Sequence, residues 1–343
     1  MSEQTTTWVV GAGGLLGQHV ARQAELLGHS VMRRPIPWYD AELTSLALRE
    51  GLRDLVGSAS AGGWNVAWCA GAGVVASSND QLEVEQAVFR RFVSDLAVLA
   101  CDDGRGAVFL ASSAGGVYAG AENPPFTELT RPQPLVGYGW LKLAMEADVA
   151  ALAEQTGTPV FVGRIANLYG PGQKLSKQQG LVSQLCRAHL TGQPLSLYVS
   201  LDTRRDYLYV GDCAQMVMRG LAGLRRSSGA WPDDGQRDIA EAGDVPAVVT
   251  KVLASGRSTT VASLIGESVR VFRRRPRLVL AAPGQTTGQV RDLRLRSVVW
   301  RDLDRCVRTT LAAGFAATAE DVALHVRRPV RYGPGRHTER DNT

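Results

Sequence analysis

The chain has 343 residues, of which 45% are hydrophobic, 21% charged and 6% aromatic, with a net charge of +5. That composition belongs to a globular protein and excludes a fibrous, collagen-like or wholly disordered one. No apolar run approaches the ~18 residues of a membrane span, and residues 1–7 lack the basic-then-apolar pattern of a leader, so a cytoplasmic protein without membrane contact is expected.

Thr6–Val10 is a short apolar run that predicts a strand, and a glycine-rich turn follows over 11–17. Leu15, Leu16, Val20, Leu26 and Leu27 then recur at near-helical spacing. Ser30–Met32 and Asn65–Cys69 predict a second and third strand, the latter ending in Ala70-Gly71-Ala72-Gly73. A long helix is predicted over Leu82–Ala100, a buried strand over Ala107–Ala111, a helix over Tyr138–Thr156 and a strand over Pro159–Gly163. Strands alternating with helices imply right-handed βαβ units, hence an α/β fold with a doubly wound parallel sheet. After Asn167 the rhythm loosens. A helix is expected near Gly180–Leu190 and an exposed polar loop over Arg225–Gly243. Val245–Leu253, Val261–Phe272 and Arg277–Ala281 read as strand, helix and strand of a smaller C-terminal α/β lobe. Residues 327–343 have no periodicity and read as a disordered tail.

The positive charge is uneven. Residues 1–250 carry 20 basic and 25 acidic side chains, whereas 251–343 carry 18 and 8. Arg273, Arg274 and Arg275 form the densest run, without the interleaved aromatics of a nucleic-acid surface, so it reads as a solvated face with no nucleic-acid partner. Five scattered cysteines, Cys69, Cys101, Cys186, Cys213 and Cys306, form neither a zinc pattern nor a disulfide framework, and no metal is expected.

Three motifs carry chemistry. Gly11, Gly13, Gly14, Leu15, Leu16 and Gly17 lie between the first strand and the first helix, with glycines spaced GxxGxxG. Such a turn lets backbone approach a pyrophosphate, and the helix N-terminus supplies N–H groups and partial positive charge. Tyr138 and Lys142 are four apart on a predicted helix and share a face. A cation near a phenol favours phenolate, which equips tyrosine to move a proton while a nicotinamide moves a hydride. Ser113 lies just past a strand end, 25 residues before Tyr138, where it reads as an N-cap or as a second hydrogen bond to the reacting oxygen.

Together with 111–118 (ASSAGGVY), 164–172 (RIANLYGPG) and 205–212 (RDYLYVGD), these residues resemble the extended short-chain dehydrogenase/reductase family. Within it the chain is similar to the NAD-dependent epimerase/dehydratase, UDP-galactose 4-epimerase-like branch. The resemblance implies a dinucleotide-binding Rossmann domain over 1–166, to which later segments return, and a mainly substrate-binding lobe over 167–326. It implies a nucleotide-diphosphate sugar held between the lobes, Tyr138 as acid/base, Lys142 as its electrostatic partner and ribose ligand, and Ser113 as the second hydrogen bond. Ala70 and Gly71 would line the cofactor, Asn167 would contact the sugar, and Arg205 would grip the diphosphate. A homodimer through the two long helices is implied as well.

The chain also departs from the family pattern. Arg33-Arg34-Pro35 follows the second strand where NAD-preferring relatives place an acid, which suits the 2′-phosphate of NADP as an alternative to NAD. The serine segment has one residue more before Tyr118 than in UDP-galactose 4-epimerase. Gln285 precedes Asp292 where an arginine is usual, leaving Arg291 as the second diphosphate candidate. Ala114-Gly115 replaces the Asp-Glu pair of dehydratases, which disfavours elimination. The reading is a nucleotide-sugar 4-epimerase. The alternatives are an NADPH-dependent 4-ketoreductase and, third, a non-catalytic nucleotide-binding protein.

Overall fold

The computed structural model describes residues 4–58, 62–71, 78–100, 105–175, 179–226, 247–280 and 290–327. The first half alternates as expected: β1 (Thr6–Val10), α1 (Leu15–Leu26), β2 (Ser30–Met32), α2 (Ala41–Ser58), β3 (Trp64–Trp68), α3 (Asn79–Ala100), β4 (Gly106–Ser113), the short α4 (Ala114–Val117), α5 (Gly137–Thr156) and β5 (Val160–Ile165). The second half comprises β6 (Asn167–Tyr169), α6 (Leu181–Thr191), β7 (Leu195–Leu197), β8 (Arg204–Tyr209), α7 (Val210–Arg226) and β9 (Val248–Leu253). It continues through β10 (Ser258–Thr260), α8 (Val261–Phe272), β11 (Leu278–Leu280), β12 (Asp292–Leu293), a 3-10 turn (Arg301–Cys306) and α9 (Leu311–Arg327).

The main sheet is parallel, in the order β2-β1-β3-β4-β5-β9. Period-2 alternation sorts its side chains between two faces. Trp8, Val10, Val66, Trp68, Val108, Leu110, Val160 and Val162 join a core with α2, α3 and α5. Val9, Ala67, Phe109 and Phe161 join a second core with α1 and α7. The fold is therefore a doubly wound, Rossmann-type α/β sheet. Strand order reverses at β1, which pairs with β2 on one side and β3 on the other. A crevice opens beyond the carboxyl ends of strands at such a switch point.

Several elements differ from expectation, the unpredicted helices α7 and α9 among them, and two of the differences bear on the main sheet. The strand ending at Leu253, expected in the second lobe, is β9, the outer strand of the main sheet, paired in register with β5. No element is predicted between Met32 and Asn65, yet α2 fills that interval, burying Leu48, Leu52 and Leu55. Its apolar stripe is interrupted by Gly51, which is required because a methyl there would stand 2.5 Å from the Trp8 ring.

The smaller lobe has a sheet of β6, β8, β10 and β12 and a two-stranded pair, β7 and β11. Val182, Leu185, Leu264, Phe315 and Val322 from α6, α8 and α9 form its core. Gln18 and His19 of α1 bond the carbonyls of Gly172 and Pro171, at 3.2 and 3.1 Å, and so tie the lobes together. Among the described residues no helix is long and apolar enough to cross a membrane. Ala72, Gly73, Gln285, most of the 225–243 loop and the tail beyond Arg327 lie outside the described residues.

Candidate active site

The turn between β1 and α1 is built by close backbone approach. Gly11 has φ +87°, and a methyl there would stand 2.7 Å from the Ala70 backbone. A methyl on Gly17 would reach 2.2 Å from the Gly11 carbonyl oxygen, whereas one on Gly13 would have nothing within 4 Å. Gly14 caps α1 without a side-chain hydrogen bond, so the amide groups of the first turn remain for an anion. Tight packing behind and open space in front fit a dinucleotide pyrophosphate laid over Gly13. Two substitutions separate these roles. Gly17→Ala is expected to lower the melting temperature, while Gly13→Ala melts as wild type but binds NADH more weakly in a fluorescence titration.

Beyond β2, Arg33 pairs with Glu25 of α1 at 2.8 Å. Arg34 is held by Glu50 and Asp54 of α2, at 2.5 Å for the second. Both arginines stand just beyond β2, and neither lines the cavity described next. Their carboxylate partners come from helices, which reading the strand end alone does not reveal.

A cavity of about 430 Å³ opens between the lobes, lined by Leu15, Leu16, Ala70 and Gly71 at one end. Ser113, Tyr138, Lys142 and Asn167 also face it, so four residues singled out from distant sequence segments come together. Ser113 ends β4 and caps α4, its Oγ accepting the Gly116 N–H at 3.1 Å. That leaves its hydroxyl proton to donate elsewhere. Tyr138, in the first turn of α5, lays its ring against Gly116, where a methyl would come to 3.0 Å from it. One helical turn on, Lys142 is buried with Nζ 5.6 Å from the centre of the Tyr138 ring. The same Nζ lies 3.7 Å from Oε1 of Glu85 on α3.

Beneath these groups a polar network fixes the strand ends. Ser112 Oγ donates to Glu146 at 2.5 Å, and Arg164 of β5 forks onto the same carboxylate, with its shortest contact 2.7 Å. Arg164 also donates to the Tyr118 hydroxyl at 2.8 Å. The network ties β4, which carries Ser113, and α5, which carries Tyr138 and Lys142, to the neighbouring strand β5. Because Ser112 and Arg164 both donate to the Glu146 carboxylate, the network rigidifies rather than destabilises the site.

The wall on the smaller-lobe side holds Gln173 and Gln179, which lie outside the motifs, and Tyr169 and Tyr207, which lie within motif segments that assign them no role. Tyr207 is reached because side chains alternate along β8, and it meets Tyr169 edge-on at 6.4 Å between ring centres. Burial pushes Tyr207 up to about 12 and Tyr169 higher still, so both phenols are neutral near pH 7. Asn167 Nδ2 donates to the Asp206 carbonyl at 3.2 Å. Arg205 shares the β8 face of Tyr207, two residues away, and donates to the Arg204 carbonyl at 2.8 Å; it does not line the cavity. Arg291 is exposed, pairs with Asp202 through Nε at 2.9 Å and also stays outside the cavity. Among the described residues no group of three or more His, Cys, Asp and Glu is placed to hold a metal.

Comparison with known proteins agrees with this layout. The chain is 31% identical over 114 residues to the dTDP-4-dehydro-6-deoxyglucose reductase of Escherichia coli, covering 33% of this chain and 36% of that one. It is 28% identical over 253 residues to a dTDP-4-dehydro-6-deoxy-D-allose reductase of a Streptomyces species, covering 66% of this chain and 74% of the relative. The fold matches UDP-glucose 4-epimerase of Thermotoga maritima, with a TM-score of 0.74, 19% identity, and 94% and 99% of the two chains covered. The model of the NAD dependent epimerase/dehydratase family matches residues 7–229. With its nucleotide crevice and a Ser-Tyr-Lys cavity on a doubly wound sheet, the chain belongs to the NAD-dependent epimerase/dehydratase family.

Proposed function

We propose that the protein is a nucleotide-sugar 4-epimerase. The observation that carries this reading is the convergence of Ser113, Tyr138 and Lys142 on one cavity whose far wall is the nucleotide crevice. When bound, the nicotinamide cofactor supplies reversible hydride acceptance at the sugar carbon. Tyr138 takes the C4 hydroxyl proton and returns it, while Ser113 donates a hydrogen bond to the same oxygen. Lys142 stabilises the negative charge that the Tyr138 oxygen carries before it takes that proton up. Asn167, Gln173 and Gln179 offer amide groups to the sugar hydroxyls, and Arg205 suits the diphosphate. A cavity of about 430 Å³ gives a keto-hexose room to turn its other face before reduction. Ala114 and Gly115 follow Ser113, so no second acid/base pair is present there to drive elimination.

A second reading, a 4-ketoreductase using the same residues once with exchangeable NADPH, is favoured by the reductase relatives. One experiment separates the two. The purified protein is denatured and the released nucleotide identified by mass. Near-stoichiometric NAD or NADH, with C4 inversion of a nucleotide-diphosphate hexose and no added cofactor, supports the epimerase. A protein that carries no nucleotide and oxidises NADPH in step with a 4-keto sugar replaces it with the reductase.

A further inference from the structure

Arg33 and Arg34 occupy the position that decides between two cofactors. In a Rossmann βαβ unit an acid about 20 residues past the glycine turn takes the adenosine ribose 2′-hydroxyl, whereas an arginine nearby accommodates a 2′-phosphate. β2 runs beside β1 in parallel register, with Trp8 opposite Met32, so the residues just past Met32 hold that position. By sequence alone they offer two cations to a phosphate. In the fold both are already engaged.

Arg34 is engaged the more firmly. Glu50 and Asp54 are four residues apart on α2 and share a face, and one arm of the guanidinium reaches each of them, Asp54 at 2.5 Å. The stem of Arg34 crosses α2 at Gly51, where a methyl would stand 3.3 Å from its Cδ. Its side chain is 28% exposed, so the fork is drawn back onto the helix rather than held out to solvent. Arg33 pairs with Glu25 at the end of α1 at 2.8 Å, and the hydrogen bond from its guanidinium holds that carboxyl below the usual carboxylate range. Three carboxylates thus meet two guanidiniums, and the group carries a net charge of −1.

We propose that Glu50 and Asp54, with Glu25 in a smaller part, are specificity-determining residues that make the protein select NAD(H) over NADP(H). A phosphate monoester carries a charge of about −1.5 to −2 near pH 7. Brought to a group that is already net negative, it meets repulsion from the carboxylates. To gain Arg34 it has to displace two of them at once. Glu25 is the weaker barrier, since both sides of its pair with Arg33 are exposed. A 2′-hydroxyl brings no charge and requires no such displacement.

The inference rests on the nicotinamide-cofactor part of the proposed function, and its test uses no sugar, so it stands or falls apart from the epimerase reading. NADH and NADPH are titrated by fluorescence into wild type, Glu50→Gln/Asp54→Asn and Glu25→Gln, with thermal melts alongside. Where nucleotide is resident, its mass is read instead, with NAD expected in wild type and a share of NADP in the double variant. Wild type is expected to hold NADH about tenfold or more tighter than NADPH. Glu50→Gln/Asp54→Asn keeps both side-chain shapes, removes two charges and releases Arg34. It should gain about tenfold in NADPH affinity, a gain that fades at high salt, with NADH within about threefold of wild type. Adding Arg34→Ala should erase the gain. Glu25→Gln releases the exposed Arg33 and should gain about threefold for NADPH, which preserves the test if the double variant does not fold. Wild type that holds the two equally, prefers NADPH or carries NADP overturns the proposal alone, as does NADPH affinity that rises in neither variant. A protein that binds neither dinucleotide overturns the cofactor reading and this inference with it.

Discussion

A Tyr138→Phe protein is expected to bind cofactor and melt like wild type while turning over about 10²–10⁴-fold more slowly, the range for removal of a positioned acid/base. The substitution deletes one oxygen and keeps the ring. The ring's packing against Gly116 and its position 5.6 Å from Lys142 Nζ therefore persist. Lys142 remains in place, held beside Glu85 and Met145. Ser113 is a poor substitute for the phenol. Its Oγ is already committed as acceptor to the Gly116 N–H, and a serine hydroxyl lacks a cation beside it to favour its ionised form. Initial rates at saturating substrate, read beside NADH titration of the same preparation, check the prediction. Turnover near wild type would remove Tyr138 from the chemistry and with it the proposed mechanism.

Much of this site is legible in the sequence because its geometry is local. Tyr138 and Lys142 share a helical face through their four-residue spacing, and Ser113 follows a strand whose end is marked by two serines. What is not legible comes from contacts between elements distant in the chain. Glu85 meets Lys142 across two helices separated by a strand. Gln173, Gln179 and Tyr207 reach the cavity through loop and strand placement in the smaller lobe. Arg34 reads as an available cation until α2 supplies Glu50 and Asp54. Charge in a sequence says nothing of the partner that occupies it.

The fold was legible for the same reason and failed in the same way. The βαβ rhythm of the first 165 residues is carried by short apolar runs, and the strand boundaries differ from expectation by only a residue or two at most ends. β4 is longer than its apolar run because Ser112 and Ser113 continue its pairing with β5, opposite Arg164 and Ile165. The rhythm breaks after Asn167, where the chain leaves for the second lobe and then returns. β9 is separated from β5 by that whole excursion, and no local signal marks the return. Its sequence, Val-Val-Thr-Lys-Val-Leu, also carries a lysine in the middle of a strand of the main sheet.

That lysine is the basis of the largest stability effect expected. Lys251 is 0% exposed, and its Nζ donates to Asp304 Oδ1 at 2.7 Å, to the Val299 carbonyl at 2.7 Å and to Ser297 Oγ at 2.6 Å. Ser297 in turn donates to Glu128, whose carboxylate also accepts the backbone N–H groups of Val252 and Val298. Burial pulls Lys251 below its ordinary value and pushes Asp304 above its own, and the attraction between the two opposes both shifts. The network pins the 3-10 turn Arg301–Cys306 to the edge of the main sheet, where Trp300 also packs on Phe161 with ring centres 5.4 Å apart. Removing one member of a buried pair leaves the other uncompensated, at a cost of about 3–5 kcal/mol. Asp304→Ala should cost no more than about 3 kcal/mol, the lower end, because the Asp304 side chain is itself 38% exposed and Glu128 still faces the ammonium. In a chain of this size that corresponds to a drop in Tm of roughly 4 °C. Adding Lys251→Met removes the stranded cation and replaces it with an apolar side chain of similar length, so the double variant should recover most of the loss. Urea unfolding of the two single variants and the double variant measures the coupling directly. If Asp304→Ala unfolds like wild type, or if the two losses simply add, the pair is not what holds the returning strand and its turn together.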